Sequence, residues 1–274
     1  MSAFLLAAML AAGLSVAMVG VWLIARRPGA SGWTDVVWSY AVGLAGVVGA
    51  LAPISGSPTP RQWLVAALAG AWSLRLGTHI ARRIRPGHDD PRYAQLRSEW
   101  GARFPCRLFA FLQVQAVAGW LLAISILLAA RNPSPAFAWS DIAGSLLLCT
   151  AIAGEAVADA QLRAFARSSG NRIAVCQTGL WSLSRHPNYF FEWLGWCGYA
   201  VIAIGPGGGL DEHYLWGWLS LSGPVFMYWL LVHVSGIPPL EAHMLRSRGE
   251  AFRDTQRRIC AFWPVPRLEE HPKA

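Results

Sequence analysis

The sequence predicts an all-α, polytopic integral membrane protein with seven transmembrane helices, and three observations carry that prediction. Apolar runs of spanning length recur along the whole chain. Charged residues make up 14% of it, against roughly 25% in an average soluble domain. The basic residues gather at alternate ends of the runs, and 15 Trp are available for the aromatic belts of a bilayer.

A helix crosses the hydrocarbon core in about 17 to 25 apolar residues. The runs of that length are 3–24, 35–53, 62–81, 108–130, 140–162, 188–204 and 214–235. No positive charge precedes the first, so it reads as a span and not as a signal peptide. The second carries Asp35 near its inner end, and the third carries Arg75 and His79 on one face. Between the third and fourth lies the longest non-spanning stretch, Arg82 to Arg107. The fifth bears a stripe of Glu155, Asp159, Arg163 and Arg167 at four-residue steps, which stack on one side of a helix. Pro187 suits the first turn of the sixth, where its missing N–H would have had no partner. Pro238-Pro239 stops the seventh.

Orientation follows from the arginines. With the N-terminus outside, the inner segments hold all of the 23 Lys and Arg except Arg61 and Arg131, which lie outside, and Arg75, which lies within a span. That bias predicts N-out, C-in. The formal charge of +8 is then spoken for by topology. Nucleic acid is excluded as a partner, because the basic residues alternate with spans and form no continuous face. The five cysteines make no Cys-x-x-Cys pair, so neither structural disulfides nor a metal site is expected. No linker and no repeat divides the chain. Residues 1–274 read as a single membrane domain, with 1–130 as substrate-side helices and 131–274 as cofactor-binding helices and cytosolic tail.

Chemistry is expected on the inner face. The stretch Gly179 to Glu192 places Arg185, His186, Asn188, Tyr189 and Glu192 at a membrane boundary, where ordinary spans carry only anchors. Helix N–H groups freed beside Arg185 and His186 offer an anion site. A capped helix start with an aromatic belt explains Pro187, Tyr189 and Trp196, but not Asn188 with Glu192. Glu155 and Asp159 lie deep in their span, and intramembrane acids are functional by default. Arg163 and Arg167 are as readily explained by snorkelling. The tail carries Glu241 and a basic helix with Arg246, Arg248, Arg253, Arg257 and Arg258, which by itself suits anionic lipid. Glu241 is better explained as an acceptor inside a site. Arg75, two turns inside the apolar boundary, needs a partner, and Asp35 is the candidate. Gly205-Pro206-Gly207-Gly208-Gly209 follows no strand and reads as a turn.

Taken together, Asp35-Val36-Val37-Trp38, Trp72-Ser73-Leu74-Arg75-Leu76, Asp90-Pro91-Arg92-Tyr93, Gly179-Leu180-Trp181, Arg185-His186-Pro187-Asn188-Tyr189-Phe190-Phe191-Glu192 and Glu241-Ala242-His243-Met244 resemble a bacterial family of uncharacterised membrane proteins grouped with the steroid 5-alpha-reductases. The resemblance spans nearly the whole chain. It implies a seven-span enzyme of the bacterial inner membrane, with NADPH bound on the cytosolic side. The implied reaction reduces a carbon–carbon double bond conjugated to a ketone in a lipophilic, steroid-like or other lipid substrate. Asp159 then matches a cofactor-contacting Asp, and Asn188 and Glu192 match an Asn and a Glu at the same spacing. The implied cofactor set is Glu155, Asp159, Arg163, Arg172, Arg185, His186, Asn188, Tyr189, Glu192, Glu241, Arg257 and Arg258, with Arg172, Arg257 and Arg258 the candidates for the 2′-phosphate. The steroid enzymes' Gln-Glu pair has no counterpart in Pro53 to Pro58, so the proton must come from elsewhere, with Asp35, Tyr93 and His79 as candidates and Arg75 beside them.

Arg185-His186-Pro187-Asn188-Tyr189 and Glu241 also resemble the isoprenylcysteine and phospholipid methyltransferases, which would imply S-adenosylmethionine. Glu192 after Asn188 and Asp159 upstream favour the reductase. A non-enzymatic lipid-binding module would leave Glu155, Asp159, Asn188, Glu192 and Glu241 unexplained.

Overall fold

The computed structural model describes residues 2–54, 56–84, 87–169 and 174–265, which are helical with no strand among them. The helices are α1 (Ala3–Ala25), α2 (Trp33–Leu51), α3 (Pro60–Ala81), α4 (Pro91–Trp100), α5 (Phe104–Ala130), α6 (Trp139–Ser168), α7 (Pro187–Ile204), α8 (Ser222–Trp229), α9 (Ile237–Arg248) and α10 (Glu250–Arg258).

Among the described residues, six stretches are long and apolar enough to cross a membrane: Ala3–Ala25, Trp33–Leu51, Pro60–Ala81, Arg92–Ala130, Trp139–Ser168 and Tyr214–Arg248. The chain is therefore a helical membrane protein. The sixth predicted span forms α7, an 18-residue helix whose first two turns carry Asn188 and Glu192. Those polar turns keep it out of the apolar set.

The chain divides into two compact units. The first joins Met1–Ser145 to Gly198–Gly223, and the second joins Leu146–Cys197 to Pro224–Ala274. The division thus falls inside α6 and returns inside α7.

In the first unit, α1 buries Leu6, Leu10, Leu14, Met18 and Val21, a stripe at helical spacing, while Phe4 and Val16 stay exposed to the lipid side. Helices α2 and α3 approach closely through glycine. A Cβ on Gly43 would lie 2.0 Å from that of Ser73, and one on Gly77 would strike the Tyr40 ring at 2.6 Å. Thr59 and Gln62 close a capping box at the start of α3, with Pro60 at its first turn. Asp90 caps α4, again with proline following.

In the second unit, α6 and α7 pack with a register set by small residues. A Cβ on Gly154 would meet the Phe191 ring at 2.4 Å, and one on Gly195 would touch Ala151 at 3.5 Å. This register puts Glu155 level with Glu192 and Asp159 level with Asn188.

The expected seventh span, 214–235, is not one regular helix. A 3₁₀ segment (Glu212–Leu221) leads into the eight residues of α8 and then into a π turn, Leu230–Val234. Pro224, lacking an N–H, cannot bond back into a preceding α-helical turn. Pro238 and Pro239 sit in the first turn of α9, so they open a helix as well as ending one.

Candidate functional site

In the second unit the polar block before α7 is built by local bonds. Gly179 takes φ +61°, and a side chain there would strike Gln161 at 2.5 Å. Only glycine allows this turn, which lets the Leu180 N–H donate to Gln161 Oε1 at 2.9 Å and Trp181 Nε1 to the Ala158 carbonyl at 2.9 Å. These bonds fix the Gly-Leu-Trp motif to the flank of α6.

Arg185 and His186 then meet Glu241. Arg185 grips the carboxylate with both arms of its fork, Nε to Oε1 at 2.7 Å and Nη2 to Oε2 at 3.1 Å. His186 Nε2 lies 2.9 Å from Oε1, and Gln256 Nε2 donates to Oε2 at 2.7 Å. Each oxygen of Glu241 thus receives two donors. Arg185 Nη1 reaches the carbonyls of Gln256 and Ile259, and the Arg185 N–H donates to the Cys260 carbonyl at 2.9 Å. Burial pushes the His186 imidazole below its ordinary value despite the carboxylate beside it, so the ring is neutral and donates from Nε2. The group forms a clasp: Glu241 holds Arg185 and His186, and they hold the entry to α7.

Past the clasp, His186 stacks on Tyr189 with ring centres 5.4 Å apart and planes 13° from parallel. Asn188 accepts from the Tyr189 N–H at 3.1 Å and donates to Asp159 Oδ1 at 3.4 Å, a long bond. One turn further, Glu192 accepts from Trp196 Nε1 at 3.0 Å. Glu155, Asp159 and Glu192 are all buried. Phe190, Trp193, Tyr228, Phe262 and Trp263 pack around the same turn of α7, edge to face except for the tilted Phe190–Trp193 pair.

The structure therefore brings Asp159 to Asn188 and joins Arg185 and His186 to Glu241. Arg163 lies exposed one turn after Asp159. Arg257 and Arg258 lie on the exposed side of α10, paired with Glu250 and Asp254. Arg172 falls outside the described residues.

The first unit holds the other candidates. Asp35, for which the sequence points to Arg75, receives Arg92 on one oxygen and the Tyr93 hydroxyl on the other, the latter at 3.3 Å. The α2/α3 register sets Arg75 and His79 on α3, with Arg75 deeper than Asp35. Helix α4 is tied down at several points. Ser31 Oγ donates to Asp89 at 2.7 Å, and Arg97 donates to the Ala25, Arg26 and Arg27 carbonyls at 3.1 to 3.2 Å. Arg97 also lies over the Phe104 ring at 4.0 Å.

The chain belongs to the DUF1295 family. The family model, described as a protein of unknown function, matches residues 21–259 and so includes every polar cluster described above. No curated protein and no solved structure matches this DUF1295 chain.

Sequence reasoning missed Gln256, Ser31 with Asp89, and the pair Arg61–Asp141. Arg61 donates through Nε and Nη2 to Asp141 at 2.7 and 2.8 Å, and also to the carbonyls of Asn132, Ser134 and Ala136 at 2.6 to 2.9 Å. The one available signal was a basic residue on the side of the membrane where arginines are scarce.

Proposed function

We propose that this chain is an NADPH-dependent membrane reductase acting on an activated, enone-type carbon–carbon double bond in a lipophilic substrate. The observation that carries the reading is the Asn188–Asp159 contact with Glu192 one turn away, a half-buried amide and two buried acids on facing helices. That set suits a nicotinamide carboxamide, which offers both donors and an acceptor. The long Asn188–Asp159 bond is one a ligand can exchange at little cost.

The residues also fit the charged part of NADPH. Arg163 is exposed, and the ion pairs of Arg257 and Arg258 are surface pairs, each worth about 0 to 1 kcal/mol. Such pairs give way readily to phosphate. Arg185, His186 and Glu241 act through the clasp, by fixing the turn that carries Asn188 and Tyr189. When bound, the cofactor supplies hydride; the chain's own part is to orient it and to furnish a proton. The donor in this reading is Tyr93, whose hydroxyl bonds to Asp35, with Arg92 paired to the same carboxylate and Arg75 and His79 on the neighbouring helix. We further read α7 as a seventh span, with N-out, C-in topology in the bacterial inner membrane and the cofactor on the cytosolic side.

A second reading has one observation in its favour. Buried acids beside a cluster of aromatic rings would also suit the sulfonium of S-adenosylmethionine. Methyl transfer, however, gives a positioned tyrosine hydroxyl no task.

Thermal unfolding of the purified protein with NADPH, NADH or S-adenosylmethionine tests both. NADPH should raise the melting temperature, NADH less so, and Asn188→Ala should lose most of the rise while melting near wild type without ligand. Stabilisation by S-adenosylmethionine alone would replace the reductase with a methyltransferase. Equal responses of wild type and Asn188→Ala to NADPH would remove Asn188 from the site.

A further inference from the structure

Arg61 and Arg131, the two arginines at the end of the spans where basic residues are scarce, both line one cavity of the first unit. Its volume is about 480 Å³, inside the range of roughly 300 to 1,000 Å³ that small-molecule sites occupy. The first turn of α3 forms one side, and the stretch from Ala130 to Phe137, which joins α5 to α6, forms the other. None of the lining residues is acidic.

The two arginines differ in what they have left to offer. Asp141 neutralises Arg61, whose other donors hold the carbonyls of Asn132, Ser134 and Ala136, so Arg61 shapes the wall. Among the described residues no carboxylate pairs with Arg131. Its Nη2 donates to the Gly49 and Ala52 carbonyls at 3.1 and 2.6 Å, which closes the end of α2. That task uses one arm of the fork. Arg131 Nε is buried and donates to nothing, and burial works against the charge of the group. A cation held this way gains both a counter-charge and an acceptor when an anion binds beside it. Helix α3 starts at the cavity, so the positive end of its dipole adds to the Arg131 charge. Gln62 also lines the wall, and its capping bond uses only Oε1, which leaves the amide N–H₂ for a ligand.

The surroundings say which anion. The cavity lies at the ends of membrane-spanning helices, and Trp63, Phe137 and Trp139 are 58%, 52% and 63% exposed there. Aromatic rings exposed at span ends mark the level of the lipid head groups. Phe137 is itself part of the wall. A small soluble anion has no use for these rings, whereas a lipid can lay its chains along them.

We infer that this cavity binds the phosphodiester of an anionic phospholipid, with Arg131 as its charge partner and the acyl chains against Trp63, Phe137 and Trp139. A zwitterionic head group fits less well, because its ammonium meets no carboxylate on the wall. The inference draws on the first unit alone and is independent of the reductase reading.

Thermal unfolding of the full-length protein in mild detergent, with phosphatidylglycerol, phosphatidylcholine or inorganic phosphate added, provides the test. Phosphatidylglycerol should raise the melting temperature clearly more than either of the others. Arg131→Gln, compared with its own lipid-free melting point, should lose most of that rise, and Arg131→Lys should keep part of it. Because Arg131→Gln also removes the bonds to α2, a second variant leaves the arginine in place. Ala136→Glu, at an exposed position on the wall, sets a carboxylate in the cavity and should abolish the rise while melting near wild type without lipid. A rise that survives in both Arg131→Gln and Ala136→Glu puts the lipid elsewhere on the protein and overturns the inference. So does an equal response to phosphatidylcholine, which would reflect general solvation of the spans. An equal response to inorganic phosphate overturns it too, by making the cavity a site for a soluble anion.

Discussion

The Arg61–Asp141 knot and the cluster around Tyr93 are both buried polar groups of the first unit, yet they are satisfied to very different degrees. Arg61 has five N–H donors to place, and each finds an acceptor at 2.6 to 2.9 Å. The Ala138 N–H adds a further bond to Asp141 at 2.7 Å. Around Tyr93 the bond from the hydroxyl to Asp35 is stretched to 3.3 Å. A saturated cluster has no capacity left for anything that arrives, so it is structure. An unsaturated one costs stability that a ligand or a reaction intermediate can return. In the second unit the Arg185–Glu241 clasp falls on the saturated side.

The largest effect should come from breaking the knot. Asp141→Asn leaves a buried guanidinium without its counter-charge and should destabilise the protein by about 3 to 5 kcal/mol. Denaturant unfolding in detergent measures this. Arg61→Met with Asp141→Leu should recover much of the loss, because an apolar pair of similar volume avoids the desolvation cost of both charges. If Asp141→Asn unfolds like wild type, burial and saturation do not mark structural clusters here, and the comparison fails.

A smaller loss is expected at the clasp. Glu241→Gln places an N–H₂ among donors from Arg185, His186 and Gln256, so at least one charge-assisted bond, worth about 1.5 to 3 kcal/mol, must go. Thermal unfolding without ligand should show the drop. The Asn188→Ala protein, whose long contact contributes little, should not. Equal melting of the two variants would erase the distinction between clasp and site.

Much of this was legible in the chain. The all-helical character and six apolar stretches came through because lipid demands apolar helix, and the four-residue steps of Glu155, Asp159, Asn188 and Glu192 project onto a helix surface in any context. The helix bearing Asn188 is absent from the apolar set, since the polar residues that make it a candidate site also lower its hydropathy. The last span hid its irregularity because Pro224 and the π turn depend on backbone geometry, which an apolar count does not register. Arg61 and Asp141 are 80 residues apart, and a pair at that separation is visible only once the fold closes.

The smallest effect sharpens the clasp's side of the comparison through pH. Burial holds the folded-state pKa of His186 below its ordinary value of 6.5, and burial outweighs the pull of Glu241. Above pH 6.5 both folded and unfolded states carry the neutral ring, so His186 adds no pH dependence there. Below it the unfolded chain takes up the proton first, and stability falls as the pH drops from 6.5 toward the folded-state value. Had the clasp been an ordinary salt bridge, with the imidazole charged by its carboxylate, the sign would reverse and acid would stabilise the protein. Unfolding followed between pH 8 and about pH 5 should therefore show wild type weakening on the acid side, and His186→Gln, which keeps a donor toward Glu241 but cannot titrate, should weaken less. An unchanged acid slope in His186→Gln would assign the dependence to another group. A slope of the opposite sign would mean that the clasp carries a charged imidazole, and that Glu241 holds two cations instead of one.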